Sequence, residues 1–282
     1  MSLFADIETL EQKLQKEIAR AGSYKSIQNF LQVYQESILQ SLEGYTRSDL
    51  NNANLQNILT TALEEARDYI DIQLADQIRQ GVTTTIEDTI TFYDQLGIQP
   101  VNLIEGIERR EEILKLTEEF NNNMSTMREE LLDGTLEKME EVIAKEGLNR
   151  SRLSEEIFEF ADGKAHWART NAKMVVSSSN RIARDELRQS ADLQHGFYYG
   201  EVRGNTRAFC RSCAGGTYTL KQIENMSNGQ GLDVKIYAGG WNCIHSWLWV
   251  EPEWDPELKR TMEENRPVVE LTEEYLDLKV PE

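Results

Sequence analysis

The stretch that most constrains this 282-residue chain is residues 196–250, GFYYGEVRGNTRAFCRSCAGGTYTLKQIENMSNGQGLDVKIYAGGWNCIHSWLWV. All three cysteines lie in it, with nine of the seventeen glycines and three of the five tryptophans; a fourth follows at Trp254. Glycines at this density supply turns and the aromatic residues supply a small core, so the stretch cannot continue the polar helices that precede it. Cys210 and Cys213 form a C-x2-C pair that, on a turn, points two thiols at one centre. After 29 intervening residues come Cys243 and His245. If residues 241–250 form a strand, alternation puts Trp241, Cys243, His245, Trp247 and Trp249 on one face and Ile244, Leu248 and Val250 on the other. Cys210, Cys213, Cys243 and His245 are therefore the candidate metal ligands, three sulfurs and one imidazole, a set suited to one structural zinc. The competing reading is small buried thiols beside a hydrogen-bonded core histidine.

The rest of the stretch reads as a small α+β unit. Strands are expected at 197–202 and 232–237, and a short helix carrying Leu220, Ile223 and Met226 starts at its N-cap Thr219 and ends at Asn228-Gly229. Gly239-Gly240 turns the chain into the last strand.

Before residue 196 the chain reads as helices. Phe4, Ile7, Leu10, Leu14 and Ile18 share one face, Gly22-Ser23 stops that helix, and Ile27, Phe30, Leu31, Tyr34, Ile38 and Leu39 repeat the spacing up to Gly44. A third apolar stripe, Leu55, Ile58, Leu59, Leu63, Ile70 and Leu74, is expected to stop at Gly81, with Thr83 capping the next helix. Two helices flank residues 97–100, a long charged helix covers 104–132, Asp133-Gly134 breaks it, and further helices cover 135–146, 152–161 and 164–194. In the last of these Ala165, Ala168, Ala172, Val175, Ser179, Ile182 and Ala183 keep helical spacing with small side chains, so another helix can approach closely. The expected fold class is α+β: a mainly α-helical body at 1–148, a basic helical connector at 149–195, a small α+β module at 196–252, and an extended acidic arm at 253–282 with at most one short helix near 258–264. Val268, Val269, Leu271, Tyr275, Leu276 and Leu278 of the arm are placed to dock on a neighbouring subunit or partner.

The balance of 49 acidic against 30 basic residues, net charge −19, disfavours a generic nucleic-acid binder, because phosphate neutralisation needs clustered cations. Only 150–211 is locally basic, through Arg150, Arg152, Lys164, Arg169, Lys173, Arg181, Arg184, Arg188, Arg203, Arg207 and Arg211. The plain reading of this cluster is a solvated helix surface; the functional alternative is a zinc-stabilised nucleic-acid-binding protein that uses it. Trp241, Trp247, Trp249 and Trp254 stand beside Glu251, Glu253, Asp255 and Glu257, which repel phosphate, so core packing or a protein interface is expected rather than a base-stacking platform. No apolar run approaches the roughly 18 residues of a membrane span and no basic-then-apolar leader opens the chain, so a soluble, unexported protein is expected. No P-loop, GxGxxG, HExxH or GxSxG motif occurs, and the histidines are His166, His195 and His245; no catalytic residue is expected.

Arg169-Thr170-Asn171 on a helix, then Asn205-Thr206-Arg207 with Cys210, Gly239-Gly240, and Asn242-Cys243-Ile244-His245 running on to Pro252 follow in an order that resembles the C-terminal domain of the phage Mu F-like head morphogenesis, or minor head, proteins. Members are similar in a D-x-R-T-R-x-x-C or -H element, a later Gly-rich turn, and an N-C-R-H or N-C-R-C element entering a strand that ends near a proline. This chain departs at Asn205, where an acid is frequent, at Ile244, where arginine is usual, and at Asn171, where Glu is common. The resemblance covers residues 150–252 and implies a minor structural protein of a tailed-phage head, portal-associated, acting in head morphogenesis or in the fate of packaged DNA. It places the protein in the virion head or neck, and in the host cytoplasm during assembly. Expected partners are the phage portal or other head proteins and, through Arg169, Lys173, Arg181, Arg184 and Arg188, packaged DNA; no membrane contact is expected.

Overall fold

The computed structural model describes residues 3–46, 48–98 and 111–264. In chain order these form α1 (Leu3–Ala21), α2 (Lys25–Leu42), α3 (Asn52–Asp68), a π-helical turn (Tyr69–Leu74), α4 (Ala75–Gln95), α5 (Glu111–Glu146) and α6 (Arg150–Ser190). Then come β1 (His195–Tyr199), α7 (Ala208–Cys213), β2 (Thr217–Thr219), α8 (Leu220–Glu224), α9 (Val234–Tyr237), β3 (Ser246–Val250), a 3-10 turn (Pro252–Trp254) and α10 (Pro256–Glu264). The fold class is α+β, a mainly helical body followed by a small module with a three-stranded sheet. No helix among the described residues is long and apolar enough to cross a membrane. The apolar positions of the arm beyond residue 264, and the start of the charged helix read at 104, lie outside the described residues.

Three expected breaks are absent. Helix α4, which follows the π-helical turn Tyr69–Leu74 directly, passes through Gly81 and Thr83 without a break. Helix α5 runs through Asp133-Gly134. A β-carbon at Gly134 would lie 2.2 Å from Phe160 Cζ, so the glycine admits an aromatic ring and does not end the helix. The helices expected at 152–161 and 164–194 are one helix, α6.

By contacts the chain divides into two compact units, Met1–Ala19 with Gly81–Lys115 and Met174–Glu282, and Arg20–Gln80 with Leu116–Lys173. They cut across the four consecutive segments read from composition, since the long helices are not interrupted where composition changes. The second unit is a helical assembly. Ile27, Phe30, Leu31, Tyr34 and Ile38 of α2 and Leu55, Ile58 and Leu59 of α3 are buried at the spacing seen in the sequence. Tyr34 donates to Thr135 Oγ1 at 3.1 Å, and burial pushes its hydroxyl up to about 12.

Asp71, on the π-helical turn, gives this unit a pH dependence. Burial pushes its carboxyl up, but hydrogen bonds from Arg128 and Arg67 outweigh that and hold it below the usual carboxylate range. A carboxyl depressed on folding contributes stability that is present above its unfolded value and is lost as pH falls through the folded one. Asp71→Asn is therefore expected to flatten the acid limb of the stability curve below about pH 4 and to leave its shape above pH 5 unchanged, checked by urea melts across pH 2–7.

In the first unit, α6 is buried on nearly every side from residue 174 to 188. Val175, Val176, Ser177, Ser178, Ser179 and Ala183 are small enough there to let neighbouring elements approach on several sides. Asn180 donates to Thr85 O and Thr89 Oγ1, each at 3.0 Å, and fixes the register of α6 against α4. The sheet has the order β2-β1-β3 with both pairs antiparallel; Phe197 faces Leu248 and Tyr198 faces Trp247. One face carries Tyr198, Tyr218 and Trp247, with ring centroids 4.5 Å apart for Tyr198–Trp247 and 5.8 Å for Tyr218–Trp247. Ile7, Leu10, Phe92 and Tyr93, from α1 and α4, share one core with Trp247 and Trp249, and Tyr93 donates to Trp249 O at 2.8 Å.

Within the module the N-cap at Thr219 is present as a full capping box with Gln222. The strand expected at 232–237 is instead the short helix α9, nucleated by Asp233 accepting from Lys235 N at 2.8 Å. The last strand spans only Ser246–Val250, and residues 241–245 are loop.

Candidate metal centre

The loop between α9 and β3 departs most from regular backbone. Ala238 (φ 49°), Gly240 (φ 97°) and Asn242 (φ 58°) all adopt left-handed conformations, costly at the two non-glycine positions. The turns bring Cys243 back against α7, so that Cys243 Sγ stands 3.5 Å from Cys210 Sγ and 3.7 Å from His245 Nδ1. The ligand atoms of Cys210, Cys243 and His245 all lie within 4.8 Å of one another, and all three residues are buried, so the group can hold a metal ion. Cys243 and His245 meet through this turn and not through the strand alternation that first paired them. Cys213 does not belong to the group. It sits three residues on from Cys210, on a short helix where a turn was expected, and burial pushes its thiol up to about 12.

Two glycines make the approach possible. A β-carbon at Gly239 would lie 2.0 Å from Cys210 Sγ and 3.1 Å from Cys243 Sγ, and one at Gly200 would lie 2.2 Å from His245 Cδ2. Gly239→Ala is expected to push the sulfurs apart, lowering metal retention and costing about 1–3 kcal/mol of stability as an overpacked site. Metal content and thermal melting of the variant check this; wild-type values for both would contradict the close approach.

The surroundings favour a negatively charged sulfur. Contact with the Cys210 sulfur holds the Cys243 thiol below its usual range; burial opposes this, and His245 and Arg181 assist it. Cys210 is driven up by the same contact and by burial. The Tyr198 hydroxyl lies 3.4 Å from Cys210 Sγ and 3.8 Å from Cys243 Sγ, and its ring stacks on His245 at 5.6 Å. His245 Nε2 is buried with no hydrogen-bond partner. The nitrogen that approaches a sulfur is the other one, Nδ1, 3.7 Å from Cys243 Sγ, so Nε2 stands without the outer partner that a metal-bound histidine ordinarily has.

Arg181, Arg184 and Arg188 correct the reading of the basic stretch. They are neither a solvated surface nor available to DNA, because the buried part of α6 carries them into the core. Arg181 donates to the backbone carbonyls of His245, Ile236 and Cys243. Arg184 pairs with Glu11 of α1, and Arg188 pairs with Asp185 at 2.7 Å and lies over the Trp249 ring. Of the others, Arg169 pairs with Asp162 at 3.2 Å, and the Lys173 side chain packs over Gly22. Trp247 and Trp249 are core residues, which removes them from any stacking surface; Trp241 is 39% exposed.

Fold and site together define a mainly helical α+β protein whose small module encloses a buried group of two thiols and an imidazole able to hold a metal ion. Comparison of the chain with protein-family models, curated proteins and solved structures finds no match.

Proposed function

We propose that the chain is a minor structural protein of a tailed-phage head, associated with the portal and related to the Mu F-like head morphogenesis proteins, and that it carries one structural zinc. The observation that supports this most is the convergence of the three sequence elements behind the resemblance. Arg207 of the first donates to Gly239 O of the second at 2.9 Å, and Cys210 of the first lies 3.5 Å from Cys243 of the third. Elements separated in sequence that meet at one buried centre are what a shared domain core requires.

Cys210, Cys243 and His245 would hold the zinc, which would supply folding free energy to a small module. Two sulfurs each about 2.3 Å from one tetrahedral zinc stand about 3.8 Å apart, close to the 3.5 Å between Cys210 and Cys243. Cys213 is left out of this set. The proposal assigns no catalytic residue. The nucleic-acid-binding alternative is weakened by the burial of Arg181, Arg184 and Arg188.

A reconstituted pull-down with the portal and other head proteins is the test. Retention of a head protein at physiological salt is the expected result. Sequence-independent DNA binding that falls steeply with salt, with no head protein retained, would reverse the assignment.

A further inference from the structure

Two arginines one helical turn apart on α6 are buried near the metal centre, and they differ in their partners. Arg184 has a carboxylate partner, Glu11, and also donates to Ser246 Oγ at 3.1 Å. Arg181 has none. Its Nε donates to His245 O at 3.0 Å, its Nη1 to Ile236 O at 3.2 Å and its Nη2 to Cys243 O. Among the described residues no carboxylate pairs with it, although it is only 2% exposed.

All three acceptors are neutral, and two of them belong to residues of the metal-binding group. A guanidinium does not lose its proton in a protein, and a buried charge with no counter-charge is strongly unfavourable. Carbonyl dipoles satisfy its donors but leave its charge unanswered. Its bonds to the carbonyls of His245 and Cys243 place its charge at the turn that carries the Cys243 sulfur, itself 3.5 Å from the Cys210 sulfur, and both sulfurs become thiolates when they bind a metal.

We infer that Arg181 is a positioning residue of the metal centre with two roles: its planar fork holds the backbone of the Cys243–His245 turn, and its charge answers the thiolates. This rests on the zinc reading above. It makes metal binding and the buried guanidinium mutually dependent: the thiolates stabilise Arg181, and Arg181 raises the affinity of the thiolates for the metal. Arg184, answered by Glu11, has no such dependence.

Zinc affinity measured by chelator competition on the full chain, with melting of zinc-loaded and stripped protein alongside, separates the roles. Arg181→Gln keeps some donors and loses the charge; Arg181→Lys keeps the charge and cannot span three carbonyls. Arg181→Gln is expected to weaken zinc binding at least about tenfold, in the range seen when outer-shell partners of metal ligands are removed. Arg181→Lys is expected to weaken zinc binding by about threefold, the share owed to the lost fork, and the melting increment given by zinc should shrink more in Arg181→Gln than in Arg181→Lys. Equal weakening in both variants, or wild-type affinity in Arg181→Gln, would overturn the charge role. Should Arg181→Gln not fold, Arg181→Lys decides: affinity within about threefold supports the inference, and a tenfold loss or failure to fold with zinc present overturns it. Wild-type protein that takes up no zinc would remove the zinc reading itself, a result distinct from any pattern among the variants.

Discussion

Cys243→Ser is expected to bring zinc content from about one per chain to none and to abolish the cooperative melting of the unit that contains the module. Cys243 is the member of the group that touches both others, at 3.5 Å and 3.7 Å, so its loss leaves one sulfur and one imidazole, too few to hold the ion. Structural zinc contributes on the order of 10 kcal/mol in small domains at neutral pH, against a total stability of about 5–15 kcal/mol. The effect is not confined to residues 196–250, because Ile7, Leu10, Phe92 and Tyr93 lie in one core with Trp247 and Trp249. The parts of α1 and α4 in that unit are expected to melt with the sheet, whereas the sequence alone suggests a module that unfolds and leaves the N-terminal helices intact. Metal analysis, tryptophan fluorescence and circular dichroism on the same sample check this. Unchanged melting together with unchanged metal content would show that packing of the aromatic residues, without a metal, joins the two ends of the module.

The parts of the structure legible in the sequence are those set by local rules. Helical spacing located α1 and α2, and Thr219 with Gln222 marked the start of α8. Cys210, Cys243 and His245 were legible as a group by residue type. What failed was set by tertiary packing. Gly81 and Gly134 look like stops, yet Gly134 is there to admit Phe160. Residues 232–237 have strand-like composition, but the Asp233 cap favours a helical turn. The arginines of α6 read as surface because Arg usually is surface, and only the small residues around them hinted that this part of the helix is buried on nearly every side. Glu11 carried a comparable signal. It falls within the apolar stripe of Ile7, Leu10, Leu14 and Ile18, where an acid is out of place unless it has a buried partner.

That partner yields the second large effect. Glu11 and Arg184 are both fully buried, Ser246 donates to Glu11 Oε2 at 2.9 Å, and Arg184 also reaches Trp247 O at 3.3 Å. The pair links α1, α6 and the first residues of β3. Glu11→Ala is expected to destabilise the unit by about 3–5 kcal/mol, because it leaves the Arg184 guanidinium buried without a counter-charge. In thermal melts this corresponds to a fall of about 6–20 °C for a unit of this size. Removing both charges is a different change: in Glu11→Met with Arg184→Met the volume stays filled and no ion is stranded, so most of the loss is expected to be recovered. Arg184 Nε and Nη2 have no partner even in the intact pair, which makes removal of both ions less costly than removal of one. A double-mutant cycle on the two positions, run on zinc-loaded and stripped protein, should give a coupling energy of at least about 2 kcal/mol that is the same in both forms. Additive effects, with Glu11→Ala costing less than about 1 kcal/mol, would show that water reaches the pair and that the link between α1 and β3 is carried by Ile7, Leu10 and Trp247 instead.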